Sequence, residues 1–102
     1  MASGAHKKVG SFIGTGAAKE IDLDFTPRYV KVVNMTTRDS AEKFAEAEVS
    51  GSEGGIKRPV GGGAVTALAA AAGITLGERK FTVGTDAAVN GADNHMVFVA
   101  EE

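Results

Sequence analysis

Residues 73–86 read GITLGERKFTVGTD, and this stretch decides the fold. Ile74-Thr75-Leu76 and Phe81-Thr82-Val83 are short alternating runs rich in β-branched and aromatic residues, so each is predicted to be a strand. Between them Gly77-Glu78-Arg79-Lys80 is polar and led by a glycine, which suits a tight hairpin connection. Ile74, Leu76, Phe81 and Val83 then share one apolar face. A single hairpin cannot bury such a face alone, so further strands must cover it.

Working outward, residues 19–25 carry the cleanest alternation in the chain. Ile21, Leu23 and Phe25 interleave with Glu20, Asp22 and Asp24, the pattern of a half-buried strand with an acidic outer face. Thr26-Pro27 ends it, because proline cannot donate to a ladder. Residues 29–35 (YVKVVNM) follow as a more fully buried strand rich in valine. Residues 95–100 (HMVFVA) form a last strand, and residues 9–14 (VGSFIG) a first one interrupted by glycines.

Two alanine-rich stretches fit two templates. Residues 41–49 suit a helix by propensity, but the alternation Ala45, Ala47, Val49 suits a strand and continues the β pattern. Residues 65–72 behave likewise. Residues 51–63 hold six of the fourteen glycines and Pro59, and are predicted to be a long loop of the kind that is functional or mobile. Residues 85–94 read as a second loop. Short strands separated by glycine-rich turns predict an all-β domain, a small antiparallel β-sandwich or jelly-roll-like fold over residues 9–102. Residues 1–8 (MASGAHKK) are small and polar, and are expected to be an extended N-terminal arm.

With 102 residues the chain forms one domain and buries roughly 65% of its unfolded surface. Hydrophobic residues make up 43%, but aromatics only 6%, with no tryptophan. Alanine buries little area at about 25 cal/mol per Å², so oligomer contacts are expected to add stability. A net charge of −2 with interspersed signs gives no footprint for nucleic acid or an anionic membrane. Cysteine is absent, and no segment reads as a signal peptide or a membrane span.

No catalytic motif is present. Residues 14–19 (GTGAAK) lack the spacing and the Gly-Lys-Ser/Thr ending of a phosphate loop. Residues 86–91 (DAAVNG) begin like a calcium loop, but Val97 stands where the bidentate glutamate belongs, leaving at most a looser site among Asp86, Asn90, Asp93 and Asn94. His6 and His95 are the only histidines, too few for a zinc site without cysteine. No serine has a nucleophile-elbow setting. The chain is therefore expected to be no enzyme and to take no cofactor or metal. Arg28, Lys57, Arg58, Arg79 and Lys80 lie in or beside predicted loops, as solvated charge or as partners for acids on another protein.

Residues 10–16 (GSFIGTG), 21–32 (IDLDFTPRYVKV), 73–76 (GITL) and 81–86 (FTVGTD), with Asn90 and a final strand ending at Ala100, together resemble a group of small tailed-bacteriophage virion proteins. The group includes capsid decoration, or cement, proteins and related fibre domains. The resemblance implies an all-β domain, commonly trimeric, made in the bacterial cytoplasm and docked on the outside of the head. There it would bridge neighbouring major capsid subunits, with no nucleic-acid or membrane partner. The docking candidates it suggests are Ala2, Ser3, His6, Lys7 and Lys8 in the arm, and Lys57 and Arg58 in the 51–63 loop. Phe25, Tyr29, Ile74, Leu76, Phe81, Val83 and Phe98 are the expected core anchors. The competing expectation is a fibre module that binds carbohydrate or a receptor in its loops. Sugars stack on exposed aromatics, and the aromatics here fall in predicted strands.

Overall fold

The computed structural model describes residues 6–45, 53–61 and 63–102. The fold is an antiparallel all-β sandwich, and among the described residues 47% are in strands and 4% in helix. A six-stranded sheet has the order β1-β9-β3-β4-β5-β6, and a three-stranded sheet the order β2-β8-β7. The strands are β1 Lys7–Ile13, β2 Lys19–Asp22, β3 Tyr29–Asn34, β4 Ser40–Phe44, β5 Ile56–Arg58, β6 Thr66–Ala67, β7 Ile74–Gly77, β8 Lys80–Val83 and β9 His95–Glu101. One helical turn, α1 Ala87–Asn90, precedes β9.

The hairpin of β7 and β8 forms with a tighter connection than its composition suggested. Gly77 pairs with Lys80, so only Glu78 and Arg79 turn the chain. Arg79, the second turn residue, adopts φ +62°, in the left-handed region, whereas Glu78 does not, so the turn is not one of the primed types that two-residue hairpins favour. β2 adds on the other side of β8, lining up Ile21, Phe81 and Leu76 across the small sheet. Leu23 and Phe25 lie beyond the end of β2 yet are buried, because the Leu23 N–H still bonds the Arg79 carbonyl at 2.8 Å.

The core lies between the two sheets. Val30 and Val32 of β3, Ala41 of β4, and Met96, Phe98 and Ala100 of β9 face Ile74, Phe81 and Val83. Phe81 meets Phe98 edge-on at 5.1 Å between ring centroids, a favoured aromatic geometry. Of the expected anchors, Phe25, Ile74, Phe81, Val83 and Phe98 are buried, whereas Tyr29 and Leu76 are half-buried.

Two buried asparagines tie the loops together at one end of the sandwich. The Asn90 amide donates to the carbonyls of Gly84 (2.9 Å) and Ala17 (2.5 Å), and its oxygen accepts from the Thr15 N–H at 2.8 Å. Asn34 donates to the Ala87 carbonyl and Asn94 Oδ1, and accepts from the N–H groups of Thr36 and Thr37. Gly14 must be glycine here: a Cβ would sit 1.9 Å from the Gly91 carbonyl oxygen. Asp86 caps α1 by accepting from the Ala88 N–H at 2.8 Å, so this aspartate does turn chemistry.

Five expectations are corrected. Lys7 and Lys8 do not belong to a free arm. They pair with Glu101 and Ala100, since β9 offers backbone partners along its whole length. Residues 1–5, which include Ala2 and Ser3, lie outside the described residues. The 51–63 loop contains β5, which bonds β4 from Ser40↔Arg58 to Glu42↔Ile56. Residues 65–72 hold only the short β6, because Gly54 and Gly55 take the backbone bonds of Leu68 and the chain then turns at 70–73. Residues 85–94 hold α1 rather than loop alone. Of the 41–49 stretch, residues up to Phe44 belong to β4 with Ala41 inward, Ala45 is exposed just past its end rather than inward, and residues 46–49, with Ala47 and Val49, lie outside the described residues. The phase of Ala41 also buries Lys43.

Candidate interaction surface

The six-stranded sheet has two faces, and the small sheet covers one. The registers of β1, β9, β3 and β4 specify what the other face carries. One row across it holds Val9, Val99, Lys31 and Glu42. The next holds Ser11, Val97, Val33 and Ser40. At one end Ile13 pairs with His95, beside Met35, whose N–H bonds the His95 carbonyl at 2.8 Å. At the other end stand Lys7, Glu101, Tyr29 and Phe44. Val9 is 62% exposed, and Ile13 and Met35 are each 55% exposed. Val33, Val97 and Val99 are half-buried. These six aliphatic side chains form one patch interrupted by few charges.

A polar group flanks the patch. The Tyr29 hydroxyl donates to Glu42 Oε2 at 2.8 Å, and Arg58 Nε donates to Oε1 of the same carboxylate at 2.9 Å. Burial, and then the hydrogen bond to Glu42, push the Tyr29 phenol up to about 12. Burial alone would raise the Glu42 carboxyl, but the hydrogen bonds from Arg58 and Tyr29 outweigh it and hold the group below the usual carboxylate range. Phe44 packs on Tyr29 with ring centroids 4.9 Å apart and keeps 47% of its surface exposed.

The residues expected to dock a partner do not converge. His6 lies against Glu102, Nδ1 to Oε1 2.7 Å, and stacks on Phe25 at 5.7 Å. The hydrogen bond from His6 holds the Glu102 carboxyl low. Lys7 lies 3.9 Å from Glu101 on the outer face. Lys8 is exposed, in the phase of β1 that faces the small sheet. Lys57 is 3.1 Å from Asp86 and fixes β5 to the α1 cap, while Arg58 is engaged with Glu42. Lys57 and Arg58 thus serve internal contacts. Among the described residues, no three His, Cys, Asp or Glu side chains group as a metal site, and no helix is long and apolar enough to cross a membrane.

Comparison with protein-family models, curated proteins and solved structures finds no match for this chain. The patch itself was not singled out from the sequence, although a signal for it exists. YVKVVN and HMVFVA are apolar in both phases of the alternation, the composition of strands covered on both faces.

Proposed function

We propose that this is a structural assembly protein that docks on a larger protein through the outer face of its six-stranded sheet, and that the partner is the major capsid protein of a tailed-bacteriophage head. One observation carries the docking role. β3 and β9 are built with aliphatic side chains on both faces, but the described residues cover only one, leaving Val9, Ile13, Val33, Met35, Val97 and Val99 for a partner. The capsid as partner rests on the sequence resemblance of residues 10–16, 21–32, 73–76 and 81–86, with Asn90 and the final strand, to decoration proteins. A cement role requires a broad, flat contact and no reacting group, which a sheet face provides.

The test is retention on heads that lack the native copy, separated by sedimentation. The wild-type chain is expected to travel with the heads in many copies. The Val97→Lys/Val99→Lys variant should stay in the supernatant with an unchanged melting temperature. Retention of that variant at full occupancy would overturn the role of this face.

A fibre module that binds carbohydrate is the second reading, favoured by the exposed Phe44 ring packed at a tilt against Tyr29 beside Glu42 and Arg58. Phe44→Ala separates the two. It would abolish glycan binding and leave head binding intact.

A further inference from the structure

β1 is an edge strand, and its hydrogen-bonding phase can be read from its two ends. The Glu102 N–H bonds the His6 carbonyl at 3.0 Å, and the Gly14 N–H bonds the Asn94 carbonyl at 2.8 Å. In an antiparallel ladder, facing pairs alternate between bonded and non-bonded. His6, Lys8, Gly10, Phe12 and Gly14 therefore turn their backbone groups toward β9. Lys7, Val9, Ser11 and Ile13 turn theirs to the open edge. Native edges are blunted by charged side chains, lysine above all, and by proline, bulges, inward charges or short length. β1 is seven residues long, unbulged against β9, and without proline or acid; only its first two residues are charged.

We propose that the occupant of this edge is β1 of a second copy, added antiparallel across a two-fold axis at Ser11. The inference goes beyond the docking role and does not depend on it. This register faces Val9 with the partner's Ile13, two residues that are 62% and 55% exposed in the single chain. It faces Phe12 with the partner's Gly10, which has no side chain because its Cβ would meet the Phe98 ring at 2.7 Å. Three bonded pairs, Val9–Ile13, Ser11–Ser11 and Ile13–Val9, give about six new backbone hydrogen bonds.

Charge is compatible with the same arrangement. Lys7 and Lys8 of each copy reach the partner's Gly14 end, where the Asp93 N–H bonds the Gly14 carbonyl. Neither Lys8 nor Asp93 has a side-chain partner among the described residues. Pairing one residue pair closer to the N-terminus would instead set Lys8 against Phe12. The interface is isologous, so it closes as a dimer rather than the trimer that the resemblance implies. It continues the six-stranded sheet into the neighbour and brings the two outer patches side by side.

The test uses the free protein, without heads. Light scattering is expected to give twice the 10.4 kDa chain mass. Ser11→Pro removes only an outward N–H, a position where edge strands tolerate proline, so it should halve the mass while leaving the melting curve cooperative. Ser11→Cys introduces the chain's single thiol. At the axis the two Cα atoms would stand about 5.5 Å apart, within disulfide range. On oxidation it should form a covalent dimer, whereas Thr75→Cys on the exposed edge of the small sheet should not. A wild-type monomer at millimolar concentration would overturn the proposal. So would a trimer, or a dimer in which Ser11→Cys fails to cross-link. If Ser11→Pro does not fold, the cross-linking comparison decides.

Discussion

Phe81→Ala tests whether the hairpin organises the core. Phe81 is fully buried, stacks edge-on against Phe98 at 5.1 Å, and stands opposite Ile21 on one side and Leu76 on the other. Its ring is the largest group contributed by the small sheet, and the rigid strands around it cannot collapse into the space it leaves. Such truncations cost about 3–5 kcal/mol, and the site belongs in the middle of that range or above because an aromatic pair is lost as well. A domain of this length has a total stability of about 5–15 kcal/mol. For a chain near this size, 1 kcal/mol moves the melting temperature by about 4–8 °C, so a loss of about 4 kcal/mol predicts a fall of roughly 16–32 °C. The assay is thermal unfolding followed by far-ultraviolet circular dichroism, with Phe44→Ala as the reference. Phe44 is 47% exposed and its truncation should cost below about 1 kcal/mol. The reasoning fails if the two variants melt together, because the buried ring would then contribute no more than the exposed one.

Two further outcomes follow from the polar groups. Tyr29 is the only tyrosine, so phenolate absorbance reports it alone, and its titration midpoint in the folded protein should lie near 12. The folded value exceeds the unfolded value of about 10, so the associated stability is present below pH 10 and is lost as pH rises toward 12; flat urea midpoints across that window would contradict it. Asn90→Ala strands the Thr15 N–H and the Gly84 and Ala17 carbonyls, which should cost about 2–4 kcal/mol in urea unfolding, and a loss below about 1 kcal/mol would mean that the network is dispensable.

Local pattern was enough to read the strands whose two faces differ. The alternation in ITLGERKFTV and KEIDLDF places Ile74, Phe81, Val83, Leu23 and Phe25 in the core without reference to the rest of the chain, because a period of two leaves one choice of face. It was also enough to require an antiparallel all-β fold. Three matters depended on contacts between residues far apart in sequence. The order of the sheet, with β9 inserted between β1 and β3, joins residues about ninety positions apart, and no local signal encodes that pairing. The fate of residues 7–8 and 56–58 was decided by the free edges of β9 and β4: a polar lysine pair reads as a solvated arm until a neighbouring strand offers its N–H and C=O groups. The outer patch required both. Apolar residues in the two phases of β3 and β9 indicate burial on two sides, but only the tertiary arrangement shows that, among the described residues, the three-stranded sheet reaches one of those sides and not the other.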